Sequence, residues 1–212
     1  MRRRMFFCGA SAAAAGAATA TPSLLRSHPA HIRTFNAILD VPVEGHDGHR
    51  YQFYSDLVRD RIVMINFFFV TCGDVCPLIM ANLREVQALL GTRAGRDVFM
   101  YSVTLRPEVE RAEDLRHYAA ALDIGPGWLL LTGVPEMIER LRRSLGFYRS
   151  DPEEDLLKDE HTGLLRYGND RLQRWAACPA LSRPQWIVKA VATGLLPHGE
   201  RWPELGHLTG PT

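Results

Sequence analysis

The ten residues Arg61-Ile62-Val63-Met64-Ile65-Asn66-Phe67-Phe68-Phe69-Val70 are almost continuously apolar, and they end at Thr71-Cys72. Such a run lacks the alternation of a strand with one wet face, so it reads as a central strand covered on both sides. From Asp74 to Leu90 the apolar positions Val75, Ile79, Leu83, Val86 and Leu90 recur at spacings of three and four, which predicts an amphipathic helix closed by Gly91. A fully covered strand running straight into a helix is the unit of an α/β fold. The first cysteine of the chain's C-x-x-x-C motif falls at the turn between them.

The remaining pattern extends that unit. Asn36 to Val43 and His49 to Phe53 flank Gly45-His46-Asp47-Gly48 and read as a hairpin. Asp97 to Thr104 reads as a strand, and Leu115, Tyr118, Ala119 and Leu122 mark the helix after it, which Gly125-Pro126-Gly127 stops. Trp128 to Leu131 is a short buried strand. Pro135 then opens a helix carrying Met137, Ile138, Leu141 and Leu145, with Gly146 as its stop. Beyond a charged loop, His161 to Tyr167 and Arg171 to Ala176 flank Gly168-Asn169-Asp170 as a second hairpin, and Gln185 to Thr193 forms a last helix. This order predicts an α/β, thioredoxin-like layout. Its central, mostly parallel sheet is flanked by helices, with an N-terminal hairpin and a C-terminal hairpin plus helix.

The chain's 212 residues and 46% hydrophobic content suffice for one buried core. We divide it into an export signal at 1–20, a lead-in at 21–34, a domain at 35–198 and an irregular tail at 199–212. Arg2, Arg3 and Arg4, then Met5-Phe6-Phe7 and a run of small residues to Ala18-Thr19-Ala20, compose a charged region, a mild apolar region and an A-x-A-like cleavage site. Arg3-Arg4-Met5-Phe6-Phe7 resembles a twin-arginine signal, which predicts a periplasmic protein. The alternative is an uncleaved segment anchoring the chain to the inner membrane. A formal net charge of +1, or about −2 once the leader's three arginines are removed, is no footprint for nucleic acid.

Outside the cytoplasm a thiol tends to be oxidised, bound to metal or kept reduced by a partner. Cys8 leaves with the signal, and the odd set Cys72, Cys76 and Cys178 excludes a fully paired framework within one chain. Cys72-Gly73-Asp74-Val75-Cys76-Pro77 straddles a helix entry, where unpaired N–H groups and the macrodipole favour thiolate. On spacing alone a disulfide, a metal site and unlinked core thiols all stay open. Cys178 reads as a small buried side chain, with a third sulfur ligand or a resolving thiol as the sharper alternatives. Met64, Met80 and Met100 read as core, and Asp74 as the cap of the helix bearing Cys76. Arg140, Arg142 and Arg143 read as a solvated helix face. The histidines other than His161 read as solvated, with His46 and His49 able to hold metal weakly.

The stretch Asn66-Phe67-Phe68-Phe69-Val70-Thr71-Cys72-Gly73-Asp74-Val75-Cys76-Pro77 resembles the strand and cysteine motif of the Sco/SenC family, with Gly73 where proline is usual. Trp128 to Glu136 and Leu145-Gly146-Phe147-Tyr148 are similar to later blocks of that family. Lys158-Asp159-Glu160-His161-Thr162 falls where the family places its metal-binding histidine. The resemblance spans roughly residues 35–176. It implies a thioredoxin-like fold and a copper site of Cys72 Sγ, Cys76 Sγ and an imidazole nitrogen of His161, holding one ion per chain. Two soft thiolates and one imidazole suit Cu(I) and also accommodate Cu(II), whereas a closed zinc site would want a fourth protein ligand.

The implied role is a monomeric metallochaperone that hands copper to the dinuclear copper site of cytochrome c oxidase subunit II, or to another copper-accepting protein. The alternative is a thiol-disulfide reductase that keeps that site's cysteines reduced, with Cys72 and Cys76 cycling against a redox partner. His161 separates the two, because a dithiol couple does not need it. A thiol peroxidase is disfavoured by the local sequence around the cysteines. The chain departs from the family at Thr104-Leu105-Arg106-Pro107, where Arg106 stands in place of the usual aspartate.

Overall fold

The computed structural model describes residues 38–71, 75–156, 163–196 and Trp202. The expectations for the leader, the lead-in, Asp74 and the tail apart from Trp202 fall outside these residues. Seven strands form one sheet: β1 (Pro42–Gly45), β2 (Arg50–Gln52), β3 (Ile62–Phe68), β4 (Val98–Thr104), β5 (Trp128–Gly133), β6 (Leu164–Asn169) and β7 (Arg174–Pro179). Their spatial order is β2-β1-β5-β4-β3-β6-β7. The helices are α1 (Val75–Leu90), α2 (Ala112–Ala121), α3 (Pro135–Ser144), the short α4 (Pro152–Leu156) and α5 (Pro184–Gly194).

The apolar run is the centre of the sheet. From Val63 to Phe68 every β3 residue is buried. Successive strand residues point to opposite faces; Phe67 meets Phe147, just past α3, edge-on at 4.8 Å, while Phe68 stacks on Tyr118 of α2 at 5.7 Å. Helical elements therefore cover both faces, and each buried Phe, Ile or Met contributes roughly 1.5–3 kcal/mol by leaving water. One polar seam crosses this core: the Trp128 indole N–H donates to Ser102 Oγ at 2.9 Å, and that hydroxyl donates to Asn66 Oδ1 at 2.6 Å.

The thioredoxin-like layout holds, with one correction to the sheet. Only β3–β4 and β4–β5 pair in parallel; β1–β2, β1–β5, β3–β6 and β6–β7 are antiparallel. Parallel pairing needs a helical crossover, and α1 and α2 supply the only two between neighbouring described strands. The hairpins add their strands antiparallel on either side, so the sheet is mixed rather than mostly parallel.

Two local readings also shift. Gly168 and Asn169, expected in the second hairpin's turn, are strand residues paired with Trp175 and Arg174, and the turn is Asp170 to Gln173. Gly168 sits there because the Trp175 ring lies across it: a Cβ would come within 2.2 Å of that ring. A π-helical turn, Phe53–Val58, absorbs what reads in sequence as the end of a strand, burying Phe53, Leu57 and Val58. Among the described residues no helix is long and apolar enough to cross a membrane.

Candidate metal centre

The parallel strands deliver their C-terminal ends to one edge of the domain, and β3 leaves there through Phe69, Val70 and Thr71. Cys76 lies on the first turn of α1 and is buried, 1% exposed. Pro77 fits this turn because the N–H it lacks would have no helical partner at that position. Cys72, Gly73, Asp74 and His161 lie outside the described residues. What the structure fixes is where their segments begin and end.

Antiparallel pairing of β6 with β3 sets Asn66 opposite Leu165 and Met64 opposite Tyr167. Residues entering β6 thus approach the sheet at the end where β3 exits toward Cys72. Gly163 is tied down at this point, its carbonyl accepting the Ala180 N–H at 2.8 Å. On the other side, α4 ends at Leu156. Leu156 and Gly163 are thus the described residues on either side of the segment that carries His161.

α4 is held by named bonds. Asp155 of α4 is 3% exposed, and its carboxylate takes Arg142 Nη1 and Nη2 at 3.0 and 2.8 Å, Arg143 Nη2 at 2.5 Å and the Arg149 backbone N–H at 2.9 Å. Arg142, 2% exposed, also pairs with Glu139 at 2.7 Å and donates to the Phe147 carbonyl. The Arg142 hydrogen bond leads the causes that hold the Asp155 carboxyl well below its ordinary 3.8. This corrects the reading of a solvated arginine face: Arg142 turns inward because a buried carboxylate awaits it.

Beneath Thr71 lies a second buried acid. Glu110, 3% exposed, accepts the Val70 N–H at 2.7 Å and the Thr104 hydroxyl, and its carbonyl accepts Thr132 Oγ1 at 2.7 Å. One carboxylate thus joins the exit of β3 to the end of β4. Nothing in the hydrophobic periodicity marks Glu110, since it sits in a polar loop. Arg106 lies above it, its Nη1 donating to Thr71 Oγ1 at 3.1 Å and its guanidinium centred 4.2 Å from the Phe69 ring.

The other candidates fall into place. Met64, Met80 and Met100 are core, each at most 1% exposed. Cys178 was expected buried; it is half-buried on β7 opposite Leu165, beside a cleft of about 370 Å³ that Phe147, Tyr148 and Leu164 also line. Burial pushes its thiol up, and a Ser182 hydrogen bond partly offsets this. His46 is structural rather than solvated. Its Nδ1 accepts the Leu130 backbone N–H at 3.1 Å while the His46 backbone N–H donates to the Leu130 carbonyl at 2.9 Å. Burial lowers its pKa, against the pull of Asp47. His49 and His117 sit exposed beside Asp47 and Glu113. Among the described residues no three His, Cys, Asp or Glu side chains gather as a metal cluster, and Cys76 is the one expected ligand these residues include.

Comparison with known proteins places the family and the fold. The SCO1/SenC family model matches residues 42–177. A Stutzerimonas stutzeri protein named "Putative copper-binding protein" is 24% identical over 100 residues, 47% of this chain and 48% of its own length. The chain thus spans about half of that relative. Yeast Sco1 with copper bound superposes with a TM-score of 0.56 at 18% identity, covering 78% of this chain and 99% of its own. Copper-bound ScoI of Bradyrhizobium japonicum gives 0.57 at 19%, covering 74% and 99%. BsSco, described as a member of the Sco family of cytochrome c oxidase assembly proteins, gives 0.58 at 20%, covering 74% and 92%. At these identities the likeness shows a shared fold.

Proposed function

The chain belongs to the SCO1/SenC family, and from that premise we propose that it is a copper carrier of cytochrome c oxidase assembly, exported to the periplasm and binding one ion through Cys72, Cys76 and His161. The observation that carries this reading is the antiparallel register of β6 on β3. It brings the first residues of β6 to the end of the sheet where β3 ends, and that supports drawing ligands from positions 72, 76 and 161. Two thiolates and an imidazole give Cu(I) a three-coordinate set with an open side. An acceptor's own ligands enter through that side, and copper passes by stepwise ligand exchange. The acceptor we propose is the dinuclear copper site of oxidase subunit II.

Anaerobic titration of the reduced protein from Thr21 onward with Cu(I), against a chromophoric chelator, tests the site. Tight binding near one ion per chain, weakened by both Cys72→Ser and His161→Ala, is the expected result. Weak binding indifferent to His161→Ala would overturn it and point to dithiol exchange instead.

A further inference from the structure

The parallel strands have a second end, where β3, β4 and β5 begin at Ile62, Val98 and Trp128. Phe99 and Tyr101 stand two residues apart on β4 and so share one face, and Leu129 of β5 is paired beside Tyr101. The π-helical turn Phe53–Val58 is tied over this face by the Tyr101 hydroxyl, which donates to the Leu57 carbonyl at 2.8 Å. A cleft of about 840 Å³ remains, with Leu57, Phe99 and Leu129 in its apolar lining. One part of the wall carries no side chain, because Gly95 and Gly127 meet there: a Cβ on Gly127 would come within 2.0 Å of the Gly95 nitrogen. Two cations line the same space. The Arg61 guanidinium is centred 4.6 Å from the Phe99 ring, a stacking that leaves its in-plane N–H donors available at the edges. Arg50 of β2 is exposed. Glu44 is paired with Arg50 across β1 and β2, yet neither Arg50 nor Arg61 is in an ion pair among the described residues. The one carboxylate of the lining, Asp56, accepts the Gln52 N–H at 2.7 Å, and the third arginine, Arg96, is paired with Asp97 at 2.9 Å.

We propose that this cleft binds a small amphipathic anion, a carboxylate or phosphate group on an apolar body, with Arg50 and Arg61 as its cationic contacts. Guanidinium forks match carboxylate and phosphate oxygens two at a time, and Leu57, Phe99 and Leu129 take the apolar body out of water. A bare inorganic ion would leave that lining wet, and an uncharged ligand would leave both guanidiniums without a counter-charge. The cleft lies where the parallel strands begin, at the end of the sheet opposite the exit of β3. The site therefore uses none of the proposed metal ligands and does not rest on them.

The test is isothermal titration of the full-length chain with hexyl phosphate, hexanoate and inorganic phosphate, in the wild type, Arg50→Gln, Arg61→Gln and Arg140→Gln. Arg140 is an exposed arginine of α3 outside the lining and serves as the control. Hexyl phosphate should bind once per chain and more than about ten-fold tighter than inorganic phosphate, since each buried methylene adds to affinity. Arg50→Gln and Arg61→Gln should each weaken it by about ten-fold, and Arg140→Gln should leave it in place. Because Arg50 is exposed, its variant keeps the test open if Arg61→Gln lowers stability. The absence of saturable binding by both hexyl phosphate and hexanoate overturns the proposal. So does inorganic phosphate bound as tightly as hexyl phosphate, or a loss as large in Arg140→Gln as in the two cleft variants. Co-sedimentation with phosphatidylglycerol vesicles, against phosphatidylcholine vesicles, separates the sources of such an anion. Retention on the anionic vesicles that Arg50→Gln and Arg61→Gln reduce assigns the ligand to a lipid headgroup; soluble binding without retention assigns it to a free organic anion.

Discussion

Removing the Asp155 carboxylate tests whether the entry to the His161 segment is held as the structure shows. In Asp155→Ala the Arg142 guanidinium, 2% exposed, stays buried and loses both of its bonds to that carboxylate. Stranding one partner of a buried pair costs about 3–5 kcal/mol. Glu139 remains on Arg142 Nε and Nη2 at 2.9 and 2.7 Å, which places the cost at the low end, about 3 kcal/mol. For a domain of this size that lowers Tm by roughly 6–12 °C. Thermal unfolding followed by circular dichroism measures it, with Glu154→Ala, an exposed partner of Arg149 at 3.4 Å, as a control that should barely move. The pH dependence has a definite sign. Because the folded Asp155 pKa lies below 3.8, its contribution is complete above that value and is lost as pH falls below it. The gap between wild type and Asp155→Asn should therefore close on acidification from about pH 4 downward and stay constant from pH 5 to 8. A Tm shift under about 2 °C for Asp155→Ala, or a gap that widens in acid, would refute the buried-anchor argument.

Two further outcomes follow from other parts of the chain. Glu110→Ala leaves the Val70 N–H and the Thr104 hydroxyl without their acceptor, so it should cost about 2–4 kcal/mol and weaken Cu(I) binding, as read by chemical denaturation and chelator competition. Replacing Arg3 and Arg4 by lysine should leave a longer precursor in the cytoplasm, as read by fractionation and mass; normal periplasmic appearance would remove the twin-arginine assignment.

The strands and helices that were legible in the sequence are those whose burial is periodic or unbroken. α1 and α2 could be read because their apolar residues recur at spacings of three and four, which only a helix turns into a continuous face, and β3 because its unbroken apolar run fits a strand covered on both sides. The turn after β6 was misplaced because Gly168 and Asn169 carry a local turn preference, while Trp175, seven residues on, claims the space above Gly168. Arg142 and Glu110 were missed for a related reason. Each is a charged residue whose buried partner lies in another element, and no one-dimensional period records that Asp155 sits across from Arg142 or that the Val70 N–H points at Glu110.

The direction of β6 matters more to function than the tally of parallel strands suggests. Seven residues of β3 extend roughly 23 Å, the distance between the end of the sheet near Arg61 and the end near Thr71. Had β6 joined β3 in parallel, its first residue would enter beside Ile62, and a histidine three positions earlier would lie a full strand length from the cysteine turn. The antiparallel register, Asn66 opposite Leu165, reverses this and brings the entry of β6 alongside Phe68. No crossover helix is placed between β3 and β6; the chain returns from β5 through α3 and α4 and comes in from the cysteine end. The Arg142–Asp155 pair fastens that return path where α4 meets α3. Among the antiparallel strands, β6 is thus the one whose direction supports the proposed ligand set at positions 72, 76 and 161.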